Sequence, residues 1–338
     1  MSGRNKEARA VLGCWIRQLG TTHLPPSSGP LYLTFKDTMR KLRVVRYFHP
    51  KSDMHETPPR ADGNDGSHKH HVATTLNYWD DPKDGSRPAP IYLLKGRVTN
   101  KRPHRAHKFL VTDISGDEDK YSLDGHGFQY CSYESHEKEF IDEQAIRSNY
   151  YEECEKLVKD VTGATRVWIF NHKVRRGPTQ WHHLGFNNVA NRGPVTRTHV
   201  DQSYAGAELR LRHEFPGEAD ELLKKRYQII NIWRPIETIL KDPIAVADAN
   251  TVPDADLVGA DMVESDFSGE SWVVRHNPTH RWCYKHQMTP QDVLFIKCFD
   301  SNTTVARRAL HSAFEDPAYR DMASRQSIEV RCLVFYDA

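Results

Sequence analysis

Apolar and polar residues alternate in short stretches through the first third of the chain: LYLTF from Leu31, VVRYFH from Val44, PIYLLKGRV from Pro90 and KFLVTDI from Lys108. Alternation with a period of two marks half-buried strands, and the Pro, Gly, Asp and His residues between these stretches supply turns. The run from Pro58 to His71 predicts a polar loop with His68, His70 and His71 at a solvated tip. The period then changes. Phe140, Ile146, Tyr150, Cys154, Leu157, Val158 and Val161 recur at steps of three and four, and Gly163 follows as a stop, which predicts a helix over Phe140 to Val161. A shorter charged helix is expected over Glu218 to Arg226. The rest of the C-terminal half reads as strands at Arg166 to Val174, Tyr227 to Ile236, Ser271 to Arg275, Val293 to Phe299 and Ser327 to Tyr336.

Strands at intervals, joined by turn-rich connections and without regular helical crossovers, predict a mainly β protein, an antiparallel sandwich or barrel with flanking helices. We expect residues 1–135 to form an N-terminal β-rich extension packed on a catalytic domain of residues 136–338, the two making one compact unit. The 338 residues are ample for a buried core. The 47 Lys and Arg against 45 Asp and Glu leave a net charge of only +2, too little overall to suggest a nucleic-acid partner. Apolar runs such as Val293 to Ile296 fall far short of the ~20 residues of a membrane helix. The basic N-terminus lacks the apolar core of a secretory signal, so a cytoplasmic protein is expected. Six cysteines with no Cys-x-x-Cys fit reduced thiols better than a disulfide or zinc scaffold.

Phosphate-binding glycine loops, the Gly-x-Ser-x-Gly elbow and His-Glu-x-x-His are all missing from the sequence, whereas histidine is abundant, at nineteen. His199 and Asp201 form the one His-x-Asp in the chain. On a strand, side chains two apart point to the same face, so this pair can grip one ion. Octahedral iron(II) held by two His and one carboxylate keeps three positions open and needs a further His. His213, His276 and His280 read as surface or loop residues. His311 stands apart, because it follows the turn into the apolar strand VLFIKCF and precedes Arg325-Gln326-Ser327 by fourteen residues. Arg325 and Ser327 share a strand face, which suits a clamp on the far carboxylate of a diacid.

These elements occur with LDGHGFQY at Leu123 to Tyr130, THVDQS at Thr198 to Ser203, NIWRPIETILKDPIAVADA at Asn231 to Ala249, HRWCYKHQMTPQDVLFIKCFDS at His280 to Ser301, LHSAFEDP at Leu310 to Pro317 and RQSIEVRCLVFYD at Arg325 to Asp337. Over about two thirds of its length the chain resembles the iron(II)- and 2-oxoglutarate-dependent oxygenases. More narrowly, it is similar to the mostly fungal AsaB-like hydroxylase/desaturase family, which is related to the cephalosporin 7α-methoxylase accessory protein. Residue 326 is Gln where that family usually has Glu, a change that leaves the clamp intact.

The resemblance implies a double-stranded β-helix, or jelly roll, with His199, Asp201 and His311 as iron ligands and Arg325 with Ser327 on 2-oxoglutarate. Oxygen is the other co-substrate. The implied reaction oxidises an unactivated C–H bond of a small molecule in secondary metabolism, by hydroxylation, desaturation or ring formation. Oxidative cyclisation of a free amino acid such as valine to an aziridine is an alternative, as is a metal-dependent dioxygenase that does not use 2-oxoglutarate. Asn231 and Arg234 are candidates for polar contacts to substrate or co-substrate, although Arg234 lies on the opposite strand face and a structural ion pair is the competing reading. Trp282 and Tyr284 either wall the substrate pocket or pack the core. Neither nucleic acid nor membrane is an expected partner, and a homodimer is left open.

Overall fold

The computed structural model describes residues 69–94, 96–186 and 188–337. The stretches at Leu31 and Val44, and His68, lie outside them. Within the described residues the protein is mainly β with a few helices, and its strands form two sheets. The larger has ten strands in the order Val72–Trp79, His104–Asp113, Trp282–Tyr284, Ile244–Ala247, His311–Ala313, His199–Val200, Ser268–Val274, Leu257–Glu264, Ile91–Leu94, Arg97–Asn100. The smaller has five, in the order Phe128–Ser132, Asp292–Asp300, Tyr227–Pro235, Ser327–Phe335, Arg166–Arg175. All four pairings within the smaller sheet are antiparallel. Strands between Val72 and Ser132 enter both sheets, so the residues on either side of position 135 share one hydrogen-bonded framework.

The core lies between the sheets. Val200, Ala245, Ala247, Val274 and Trp282 of the larger sheet meet Tyr227, Ile229, Phe299, Leu333 and Phe335 of the smaller one. The smaller sheet also buries its other face: Ile230, Ile232, Val293, Phe295, Val330 and Val334 pack on Ile146, Tyr150, Cys154, Leu157 and Val158 of the helical segment. A sheet covered on both sides needs apolar residues at nearly every position, and Tyr227–Pro235 is buried throughout.

The long helix is formed, with differences at its start. Asp142 caps it by accepting from the Gln144 backbone N–H at 2.8 Å, and the turn Ile146–Tyr150 is a π-helix between α-helical segments Glu143–Ala145 and Tyr151–Thr162. Phe140 precedes the cap with a φ of 49° and sets its ring against Tyr150, 4.8 Å between centroids, so it anchors the entry to the helix from outside it. Gly163 ends the helix in the left-handed conformation. The charged helix is short, Ala219–Leu222. Tyr204–Glu214 is the longer helix in that region and carries His213. His71 is exposed, as a solvated tip requires, with its Nδ1 accepting from the Asp113 backbone N–H, whereas the half-buried His70 ring meets Asp316 at 2.7 Å. Nor is His280 a surface residue: it is buried between Tyr78 and Asp256. Five of the cysteines are described and all five are free. No helix among the described residues is long and apolar enough to cross a membrane.

Candidate metal and co-substrate site

His199 and His311 stand on neighbouring strands of the larger sheet in direct register, their ring centroids 4.3 Å apart. Asp201 follows two residues after His199, with 3.4 Å between His199 Nε2 and Asp201 Oδ1. Each of the three offers a ligand atom, all lying within 4.8 Å of one another. The backbone carbonyl of Arg197 lies 2.7 Å from His199 Nδ1, and that of Ala309 lies 3.4 Å from His311 Nδ1. An Nδ1–H that donates to a carbonyl fixes the tautomer and leaves the Nε2 lone pair for a metal. Burial, and His199 beside it, push the His311 imidazole down to about 4, so it is neutral near neutral pH. The chain past Asp201 is pinned by Ser203, which caps helix Tyr204–Glu214 and whose backbone N–H donates to the Glu270 carbonyl. Residue 206 must be Gly there, because a Cβ would stand 1.9 Å from the Glu270 carbonyl oxygen.

Two residues of the smaller sheet reach the same carboxylate. Arg331 and Asn231 are cross-strand partners, and their nitrogens lie 2.9 and 2.7 Å from Asp201 Oδ2. Arg331 also donates to Glu329 at 2.5 Å. Burial alone would raise the Asp201 carboxyl, but Arg331 and the histidines overcome it and hold the group well below the usual carboxylate range. Burial likewise opposes the Arg331 charge and is outweighed by Asp201 and Glu329. Replacing Arg331 by Met should leave two buried carboxylates unpaired and cost about 3–5 kcal/mol in urea unfolding of metal-free protein. Iron(II) should return part of that loss, since a cation on Asp201 takes the place of the guanidinium.

Ser327, Glu329 and Arg331 alternate along the inner face of the last strand, while Ile328, Val330 and Val334 face the helix. Arg325, just before this strand, is buried, donates to the Asp242 carbonyl at 2.8 Å and lies over the Trp233 ring, 5.0 Å from its centroid. Burial and nearby Arg175 push its guanidinium down to about 9. The Nε of Arg325 and the Oγ of Ser327 are buried with no hydrogen-bond partner among the described residues. Such orphans are costly unless a ligand completes them. A small cavity extends from His199 and His311 to Arg325, with Trp233 and Ile244 on its walls. A diacid with one end at the triad and the other at Arg325 and Ser327 fits these donors.

The remaining sequence candidates fall elsewhere, apart from Asn231. Arg234 is a correction: it is on the helix side of the sheet, donating to the carbonyls of Tyr133 and Pro290 and to the Tyr150 hydroxyl, so it can anchor neither substrate nor co-substrate. Arg234→Leu is expected to cost on the order of 2–5 kcal/mol in denaturant unfolding, with unchanged 2-oxoglutarate affinity. Trp282 and Tyr284 are likewise corrected to core residues, Trp282 donating its indole N–H to the Tyr78 hydroxyl and Tyr284 bonding to the His70 carbonyl. Phe295 packs on the helix side. His286 stands in a separate group with His70 and Asp316.

Sequence reasoning missed Glu329 and the wider cavity in front of His199 and Asp201, whose walls include Arg102, Lys173, Arg175, Arg192, Arg197 and Arg331. Polar residues at every second position of an otherwise apolar last strand were the available signal for Glu329 and Arg331.

A mainly β protein with a His-x-Asp…His group between its sheets and an orphaned Arg and Ser beside it falls in the class of metal-dependent oxidoreductases. The family model described as an oxidoreductase/YMDC permease-like domain matches residues 76–335. The hydroxylase/desaturase efuI of Hormonema carpetanum is 36% identical over 285 residues, covering 79% of this chain and 95% of that one. The alpha-ketoglutarate-dependent dioxygenase tstK of Talaromyces stipitatus is 31% identical over 267 residues, covering 77% and 96%. Among solved structures, the iron and alpha-ketoglutarate-dependent endoperoxidase NvfI superposes with a TM-score of 0.67 at 24% identity, over 79% of this chain and 99% of that one, and so shares the fold. The chain belongs to the hydroxylase/desaturase family of oxidoreductases.

Proposed function

We propose that this protein is a non-haem iron(II)- and 2-oxoglutarate-dependent dioxygenase of secondary metabolism on a double-stranded β-helix, with His199, Asp201 and His311 holding the iron. Arg325 and Ser327 bind the far carboxylate of 2-oxoglutarate. The observation that carries this reading is the small cavity that His199, His311 and Arg325 share, together with two buried donors that have no partner among the described residues, Arg325 Nε and Ser327 Oγ. Iron(II) with 2-oxoglutarate and oxygen supplies the oxidant for an unactivated C–H bond, with succinate and carbon dioxide released.

The chain's own residues prepare that chemistry. Arg197 and Ala309 carbonyls orient the two imidazoles, and Asn231 and Arg331 hold one carboxylate oxygen of Asp201, leaving the other for the metal. Trp233 and Ile244 line the co-substrate cavity with apolar surface, which strengthens the Arg325 contact by excluding water. The wider cavity on the other side of His199 receives a small-molecule substrate. A dioxygenase that ignores 2-oxoglutarate would leave the buried clamp without a ligand. A free amino acid would bring its ammonium into a cavity already rich in cations. The free cysteines support a cytosolic location. Succinate formed in equal amount to oxidised substrate tests the reading, and product formation without succinate would refute it.

A further inference from the structure

The wider cavity carries far more positive than negative charge. Its cations are Arg102, Lys173, Arg175, Arg192, Arg197 and Arg331, and its carboxylates are Asp201 and Glu264. Arg331 is engaged by Asp201 and Glu329, which leaves five cations facing Glu264. They come from separate parts of the chain: Arg102 ahead of strand His104–Asp113, Lys173 and Arg175 at the end of Arg166–Arg175, and Arg192 and Arg197 on the approach to His199. The Nε of Arg192 and Nη1 of Arg197 are buried without a hydrogen-bond partner among the described residues, as are His182 Nδ1 and Thr198 Oγ1 on the same walls.

Burial and the neighbouring guanidiniums push the Lys173 ammonium down to about 8 and the Arg192 guanidinium to about 10. Holding like charges together in a partly desolvated space opposes folding, and a negatively charged occupant relieves it. The co-substrate does not supply that occupant. Its far carboxylate belongs at Arg325, and its other end, with Asp201, offsets the charge of iron(II); of the five cations only Arg175 also borders its cavity. Between the cations the walls are apolar, with Ile91, Leu93, Val98, Trp181 and Met262.

We infer that the substrate is a compact molecule with an apolar carbon skeleton bearing at least two oxyanion groups, carboxylate or phosphate, held by Arg192 and Arg197 beside the triad, Arg102 being tied to the Ala89 and Asp261 carbonyls. This inference rests on the dioxygenase reading and deepens it. The apolar walls take the skeleton, and the partnerless Arg192 Nε–H and Arg197 Nη1–H take the oxyanions in charge-assisted hydrogen bonds.

The test uses the full chain loaded anaerobically with iron(II) and saturating 2-oxoglutarate, titrated by calorimetry with alkylsuccinic acids, an alkyl bisphosphate and the dimethyl esters of the acids. The visible charge-transfer band of the iron–2-oxoglutarate unit is recorded in each sample. The acids or the bisphosphate should bind and weaken with added salt, the stronger of the two naming the oxyanion, and the esters should bind at least tenfold more weakly. Arg192→Gln and Arg197→Gln should each cost about tenfold or more in acid affinity while the band stays intact. Lys173→Gln, which relieves repulsion and so should fold, should weaken acid binding in the same direction. Equal binding of esters and acids, no binding by any anionic probe, or unchanged affinity in all three variants overturns the inference. A missing band in the unsubstituted chain would instead count against the dioxygenase reading, and the calorimetry would still decide whether the cavity takes oxyanions.

Discussion

An Asp201→Ala chain is expected to bind iron(II) too weakly to measure under conditions that saturate the unsubstituted protein, and to form no product. The loss should go well beyond the roughly 10–100-fold that removal of an outer partner of a metal ligand costs, because a charged ligand is itself removed. The fold should survive. Arg331 keeps Glu329 as a partner, so the substitution does not strand a buried cation, and Asn231 gives up a single hydrogen bond. Metal content by elemental analysis and a circular dichroism melt separate the two effects. Retained iron with lost activity would mean that the carboxylate serves the reaction and another group holds the metal.

The second large effect is expected at Arg325. Arg325→Lys keeps a positive charge but loses the planar fork, and the shorter reach leaves the distal carboxylate with one contact at most, beside a Ser327 hydroxyl that cannot compensate. The KM for 2-oxoglutarate should rise roughly 10–100-fold while iron(II) affinity stays within about twofold, since Arg325 contacts none of the three triad residues. Ser327→Ala should shift the same KM in the same direction by less. An unchanged KM in both variants would move the distal carboxylate to Arg175 or Arg331, the other two cations on the walls of that cavity.

The residues of this site differ in how readable they were. His199 with Asp201, and Arg325 with Ser327, are pairs two apart in sequence, and expected strand alternation puts each pair on one face, although Asp201 and Arg325 stand one or two residues outside the strands that form. His311 was legible through its order after the apolar strand Asp292–Asp300, and cross-strand register brings it beside His199. Arg234 and Trp282 show where such reading stops. Alternation sorts Tyr227–Pro235 into two faces, but both faces are covered, one by the opposite sheet and one by the helical segment. With every residue buried, polarity does not mark which face looks into the cavity. The cations of the wider cavity were hidden for a different reason. Five of them belong to separated segments, and a net charge of +2 over 338 residues conceals their convergence.

The most direct test of the account is an anaerobic titration of the full chain with iron(II) in saturating 2-oxoglutarate, followed by the visible charge-transfer band. The account predicts a band that saturates at one iron per chain, is absent from His311→Ala, and in Arg325→Lys returns only at much higher 2-oxoglutarate. A band that persists in His311→Ala, or no band in the unsubstituted chain, would contradict it.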